Sequence, residues 1–185
     1  MSTSLELFIL AMVQLGLATP YELKTKAGLS LGSTVPALAR LLEDGLVKAS
    51  EEGARKSRKF SITTKGSKKL AREWAGHLAT DQTDLDSILR IAYLAWLHGD
   101  MKACQEFMKR SADGLRGWAG SIRAEAERMA GKVGTEPDCN AFLWMRKHCE
   151  AVRADADAAA LTELSAQIGK RSGAKRQATA AKRTR

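Results

Sequence analysis

Residues 19–70 read TPYELKTKAGLSLGSTVPALARLLEDGLVKASEEGARKSRKFSITTKGSKKL, and the fold turns on this stretch. It opens with a capping box. Thr19 is placed as N-cap, Pro20 at the first helical position where a missing N–H is harmless, and Glu22 reaches back to the cap amide. The spacing predicts a short helix from Pro20 to near Gly28, a residue suited to a left-handed helix end. Ser33 or Thr34 then caps a further helix, with Val35, Leu38, Leu41 and Leu42 on its apolar side and Gly45 at its end. After Gly45 the period changes. Leu46 to Ser50 reads as a short strand, and Phe60, Ile62 and Thr64 alternate with polar residues as a second, with Glu51 to Ser57 between them. A helix starts next at Thr64 or Lys65, with Leu70, Trp74 and Leu78 on one face. Upstream, Leu5, Phe8, Ile9, Met12 and Val13 recur at helical spacing until Gly16.

Two short helices joined by a tight turn around Gly28 to Gly32 make a helix-turn-helix. Three helices, a hairpin whose tip and return strand carry Arg55, Lys56, Arg58 and Lys59, and a fourth helix are the order of a winged helix-turn-helix. In such a unit the second helix of the turn enters the major groove through its N-terminal residues, and its dipole favours nearby phosphate. Those residues are Ser33, Thr34, Ala37 and, one turn on, Arg40. Arg40 is the one long donor among them able to pair bidentately with guanine, and an ion pair with Glu43 or Asp44 competes for it. The hairpin cations suit the DNA backbone, which gives affinity without much sequence information; a solvated loop is the plainer alternative.

In this stretch the chain resembles the PadR family of bacterial transcriptional regulators. The likeness rests on the order Gly32-Ser33-Thr34-Val35-Pro36-Ala37-Leu38, then Gly45-Leu46-Val47, then KFSITTKG over residues 59–66. Two positions depart from the family pattern: Val35 stands where the family has tyrosine before the proline, and Pro20 replaces the usual glycine before Tyr21. The resemblance implies a DNA-contacting role for Tyr21, Ser33, Thr34, Ala37, Arg40, Arg55, Lys56, Arg58 and Lys59, with Lys65 at the start of the fourth helix beside them. It implies double-stranded operator DNA as the partner.

The chain has 185 residues and a formal net charge of +9. Residues 1–80 carry net +5, residues 81–168 net −3 and residues 169–185 net +7. An excess of positive charge favours a polyanionic partner and says nothing about fold. The domain reading divides along the same lines: a winged helix over residues 1–80, a helical region over 81–168, and a basic tail over 169–185 expected to be disordered because it holds nothing able to bury a face. The longest unbroken apolar run, Leu7 to Val13, is far short of the roughly 20 residues that span a membrane. No basic region precedes it, so a cytoplasmic protein without a membrane partner is expected. Three cysteines at wide spacing suit reduced thiols.

Residues 84–168 read as helix throughout, which makes the fold class mostly α. Leu85, Ile88, Leu89, Ala92 and Trp96 stripe one helix ending near His98-Gly99. A second helix from Asp100 to Gly131 carries Met101, Cys104, Met108, Leu115, Trp118, Ile122 and Met129. A third, from Asp138 to Ile168, carries Phe142, Met145, Cys149, Val152, Ala156 and Ala159. Helices of that length need a partner along most of it. A homodimer is expected through Met101, Met108, Leu115, Trp118, Ile122, Phe142, Met145 and Val152, with an antiparallel pairing inside one chain as the alternative. Trp96, Trp118 and Trp144 suit packing, or a candidate pocket for a small-molecule effector.

Catalysis finds little support. The three histidines fall in different helices, and there is no phosphate loop and no metal spacing, so no cofactor is expected. The reading is a dimeric repressor on a palindromic operator. Its rivals are a winged helix serving as a protein-interaction module and a nucleoid-type binder held by its basic tail, whose affinity would be uniform across sequences and collapse with salt.

Overall fold

Thr3 starts the first helix, α1 (Ser4–Gln14), by accepting from the Glu6 amide at 3.2 Å while Glu6 Oε2 accepts from the Thr3 amide at 3.0 Å. The computed structural model describes residues 2–50, 58–131 and 139–183, the last of these as backbone alone from residue 171. In α1 the residues Leu7, Ile9, Leu10, Ala11, Met12 and Val13 are all buried. A helix apolar over most of its circumference belongs inside. It packs on α2 (Pro20–Ala27), α3 (Leu31–Glu43), β2 (Phe60–Ile62) and α4 (Thr64–Glu73). The helical period singles out Leu5 and Phe8, which are half-buried, and passes over Leu7 and Leu10, which are fully buried.

The predicted capping box of α2 is present: the Glu22 amide donates to Thr19 Oγ1 at 3.2 Å, and Glu22 Oε2 accepts from the Thr19 amide at 3.1 Å. Gly28, at φ +70°, ends the helix, and the Leu29 amide reaches back to the Leu23 carbonyl at 3.2 Å, with both leucines buried. The turn to α3 is shorter than expected. Ser30, rather than Ser33 or Thr34, is the N-cap, accepting from the Ser33 amide at 3.2 Å. The preceding Leu29 is anchored in the core, so the first serine after it is already in place to cap.

At the far end of α3 the Gly45 amide bonds to Leu42 and the Leu46 amide to Leu41. β1 (Val47–Ala49) pairs antiparallel with β2 in the register Val47↔Ile62, Lys48↔Ser61 and Ala49↔Phe60, so Lys48 and Ser61 point outward. The hairpin is tied down twice, by the Phe60 amide on the Ala18 carbonyl and by the Thr63 amide on the Leu46 carbonyl. Thr63 caps α4 through the Gly66 amide. A Cβ placed on Gly66 would lie 2.1 Å from the Leu46 carbonyl oxygen, so this helix start sits directly on the strand backbone. The expected face Leu70, Trp74, Leu78 is interrupted, because α4 stops at Glu73 and a 3-10 turn, Trp74–Ala79, succeeds it.

The chain divides into two compact units, Met1–Thr80 with Leu89–His98, and Asp81–Ile88 with Gly99–Arg185. A cut at residue 80 therefore misassigns the second half of α5 (Leu85–Leu97). Leu94 belongs to the core of the front unit, and Tyr93 meets Phe8 edge-on at 5.7 Å between ring centroids.

The rear unit is built on α6 (Met101–Ala130), capped by Asp100, and α7 (Cys139–Arg183). They run antiparallel, with bonds from Gln105 to the Ser165 carbonyl, Arg116 to Thr162, Arg123 to Asp155 and Lys147 to Glu125. Met108, Leu115 and Ile122 of α6 are buried against α7, whose inward residues are Ala151, Ala154, Ala158, Leu161, Ser165 and Ile168. The pairing within one chain is thus what covers α6. The alanine row lets the two helices approach closely, toward the lower end of the usual separation of about 8–10 Å. Residues 169–183 of the tail also depart from expectation, since α7 continues to Arg183. Ala, Lys, Arg and Gln are good helix formers, and extending an existing helix avoids the nucleation cost.

Candidate nucleic-acid interface

Because Thr34, Ala37, Leu38 and Leu41 point inward, the opposite side of α3 is left uncovered. Thr34 and Ala37 have no exposed surface, and Thr34 Oγ1 donates to the Ser30 carbonyl at 2.6 Å. These two expected DNA contacts are packing residues. At 100° per residue they fall on the core side, while Val35 and Leu42, expected inside, fall outside. Val35 is 52% exposed and Leu42 37%. Ser33 is exposed, with its hydroxyl 2.8 Å from that of Ser30.

Arg40 is also exposed, but it is engaged. Its Nε donates to Glu6 Oε1 at 2.8 Å, a partner on α1 rather than the neighbouring Glu43 or Asp44. Burial works against the charge on Glu6, and the Arg40 hydrogen bond, the Thr3 amide and the Arg40 charge outweigh it, so its pKa lies below the usual value. Sequence spacing on α3 could not find this pair, because its two members are 34 residues apart.

Pro36 sits inside α3, past the first turn. Its missing N–H leaves the Gly32 carbonyl without the usual donor, at a cost of about 3 kcal/mol relative to Ala in a helix interior. The residue is exposed, so core packing does not require it.

Tyr21, at the start of α2, is 71% exposed. Lys24 and Lys26 on α2, Lys48 on β1, and Arg58 and Lys59 leading into β2 all stand exposed. Arg55 and Lys56 lie outside the described residues. Lys65 is exposed and donates to the Asp44 carbonyl at 2.7 Å, at the end of α3. Sequence reasoning missed the rest of this helix face: Lys65, Lys68, Lys69 and Arg72 recur at helical spacing and, with Leu46 and Thr64, line an open depression of about 700 Å³. The signal was available as an i, i+3, i+4, i+7 pattern. Three acids of this unit are engaged: Glu22 serves its cap and pairs with Lys26 at 3.2 Å, Glu6 holds Arg40, and Glu73 accepts from the Ser2 amide at 3.2 Å and pairs with Arg72 at 3.1 Å, while Glu43 and Asp44 stand exposed.

Two solved structures of PadR and a PadR-like regulator align with most of the chain. The chain aligns with the crystal structure of Bacillus subtilis PadR in complex with operator DNA at 14% identity and a TM-score of 0.39, covering 89% of this chain and 98% of that one. It aligns with a PadR-like transcriptional regulator from Bacillus cereus at 14% identity and a TM-score of 0.37, covering 92% of this chain and 99% of that one. No protein-family model and no curated protein matches the chain.

In the rear unit the expected dimer residues separate. Met108, Leu115 and Ile122 are buried by α7 and cannot meet a second chain, and Met101 and Trp118 are half-buried. Phe142, Met145 and Val152 are 65%, 57% and 54% exposed. With Cys149, Ala156 and Ala159 they form a stripe at alternating spacings of three and four on the side of α7 away from α6. Trp118 lines a cavity of about 400 Å³ with Thr83, Asp84, Asp86, Glu150, Arg153 and Asp157. Trp144 is not part of that lining and lies 6.2 Å from the His148 ring, while Trp96 belongs to the front unit, so no single pocket within a unit collects the three tryptophans. Cys104 is buried and its thiol is pushed up to about 11 by burial and the nearby Asp100 charge, which makes it unreactive. Among the described residues no three His, Cys, Asp or Glu side chains are grouped to hold a metal ion, and no helix is long and apolar enough to cross a membrane.

Proposed function

We infer that the chain is a PadR-like DNA-binding transcriptional regulator of the cytoplasm, acting as a dimeric repressor on a palindromic operator. The observation that carries the reading is the uncovered face of α3, which packs against α2 and β1 with their exposed lysines, while Lys65 of α4 reaches the Asp44 carbonyl at the end of α3. A protruding helix with backbone-binding charge on its neighbours is how a helix-turn-helix meets duplex DNA. Binding, rather than catalysis, is the activity.

Dimerisation is assigned to the outward stripe of α7, because it repeats at the spacing of a helix–helix seam and α6 already covers the other side. Two copies joined there present two reading helices, which is what a symmetric operator requires. Of the three tryptophans proposed for an effector pocket, Trp118 lines a cavity of about 400 Å³, whose other walls are largely charged side chains, so an effector that relieves repression there would be a polar one.

The deciding experiment is selection of duplexes from a random library by the full chain, then affinity measurement at fixed salt. A preferred duplex bound at least about a thousandfold more tightly than random DNA is the expected result. Replacing Lys48, Arg58 and Lys59 by Ala lowers affinity for all sequences and flattens its dependence on salt. Uniform affinity across sequences would overturn the regulator and favour a nucleoid-type binder.

A further inference from the structure

With Thr34, Ala37, Leu38 and Leu41 directed inward, 100° per residue sets Gly32, Pro36, Ala39 and Glu43 along the outermost line of α3. Val35 stands beside that line on one side and Arg40 on the other. All six are exposed. From Gly32 to Ala39 this crest holds no side-chain hydrogen-bonding group, and Arg40, the one long donor near it, is held by Glu6 at 2.8 Å. From Gly32 to Ala39 the crest is therefore small and apolar, with exposed Glu43 at its far end, and an exposed proline is kept in it against the preference of the helix.

The floor of the major groove offers one kind of apolar group, the C5 methyl of thymine. Its two walls are phosphates. An apolar crest on α3, in contact with α2 carrying Lys24 and with β1 carrying Lys48, has the matching arrangement of charge, and Lys26 of α2, paired with Glu22 at 3.2 Å, stands beside Lys24. Gly32, without a side chain, allows the start of the helix to come close to the bases.

The geometry points to an operator read by apolar contact: Val35, Pro36 and Ala39 pack against thymine methyl groups, so each half-site is specified by A·T pairs at fixed positions rather than by guanine. This rests on the DNA-binding reading above. Arg40 acts as a brace between α3 and α1 instead of a base reader.

The test uses the full chain and the duplex it selects from a random library. Each thymine of a half-site is replaced in turn by uracil, which keeps every hydrogen-bonding group and phosphate and removes only the methyl. Affinity is read by fluorescence anisotropy at constant salt. The expected result is a selected site with invariant thymines, and a loss of about fourfold for each contacted methyl removed. Val35→Ala then abolishes the uracil penalty at one position while the salt dependence stays unchanged, as the variant touches no phosphate contact. Strong, sequence-specific binding that is indifferent to uracil would overturn the proposal, as would a guanine preference lost in Arg40→Ala. If no duplex is enriched, the DNA-binding reading fails first and this inference falls with it. If binding is specific but Val35→Ala leaves every uracil penalty intact, the reader is another element and the assignment to α3 is wrong.

Discussion

In the front unit α2 and α3 end where local chemistry tells them to. α2 begins on a Thr19 box and Pro20 and ends on a left-handed Gly28; α3 begins on Ser30 and ends at a left-handed Gly45. In the rear unit, α6 and α7 run for 30 and 45 residues, and what decides their structure is which apolar stripe faces which neighbour. A stop signal is a property of three or four adjacent residues. A choice of partner is a property of the whole assembly. The two units therefore fail differently when altered, and the difference can be measured.

The largest contrast is between the two sides of the rear unit. Leu115→Ala removes a side chain 1% exposed and opens a cavity between α6 and α7, which costs about 2–5 kcal/mol of stability in chemical denaturation. Met145→Glu with Val152→Glu changes exposed positions, leaves the folded helix content intact by circular dichroism, and shifts a dimer to monomer in sedimentation at micromolar concentration. If Leu115→Ala dissociated the proposed dimer without unfolding it, or if the glutamates left sedimentation unchanged, the assignment of dimerisation to the outer face of α7 would be wrong.

Gly66→Ala probes the front unit where a glycine lies directly on the strand backbone. The new methyl would meet the Leu46 carbonyl at 2.1 Å, and the start of α4 must move off the hairpin. A loss of about 1–3 kcal/mol is expected by thermal or urea unfolding, as for overpacking elsewhere. Gly32→Ala, on the crest of α3 with nothing within 4 Å, provides the control and should hold stability or raise it by up to about 1 kcal/mol. Equal losses at both glycines would remove the packing explanation.

The capping boxes, the change of period after Gly45 and the helix–turn–helix–hairpin order are legible in the sequence because each is local. The face of α3 is not. Its apolar pattern sets Val35 inside and Ala37 outside, whereas Ala37 is buried and Val35 exposed. Apolarity alone misleads there, because the exposed side of this helix is itself apolar and only the packing of α1 and the hairpin shows which side is covered. The same ambiguity recurs in α7. Its two stripes, Phe142–Met145–Cys149–Val152 and Ala151–Ala154–Ala158–Leu161, have the same spacing, and the more hydrophobic one is on the outside. Bulk favours the wrong stripe, since α6 presents Leu115 and Ile122 and needs small residues opposite them.

The Glu6–Arg40 pair is the smallest of these effects and belongs to neither kind of information, being polar and distant in sequence. Glu6 has a pKa held below its usual 4.5, with burial opposing and Arg40 and Thr3 prevailing. A carboxyl whose folded pKa is depressed contributes stability above its unfolded value, and that contribution is lost as pH falls from about 4.5 through the lower folded value. Acidification should therefore weaken the front unit in that window, and Glu6→Gln should flatten the slope of stability against pH there. Because the guanidinium is itself half-exposed, the pair contributes no more than about 0.5–1 kcal/mol near neutrality. Arg40→Ala should reproduce most of the Glu6→Gln effect, and the double variant should add little to either. Full additivity in that cycle, measured by urea unfolding at pH 7 and again near pH 4, would mean that the two side chains do not brace α3 on α1, and would return Arg40 to the DNA-facing surface.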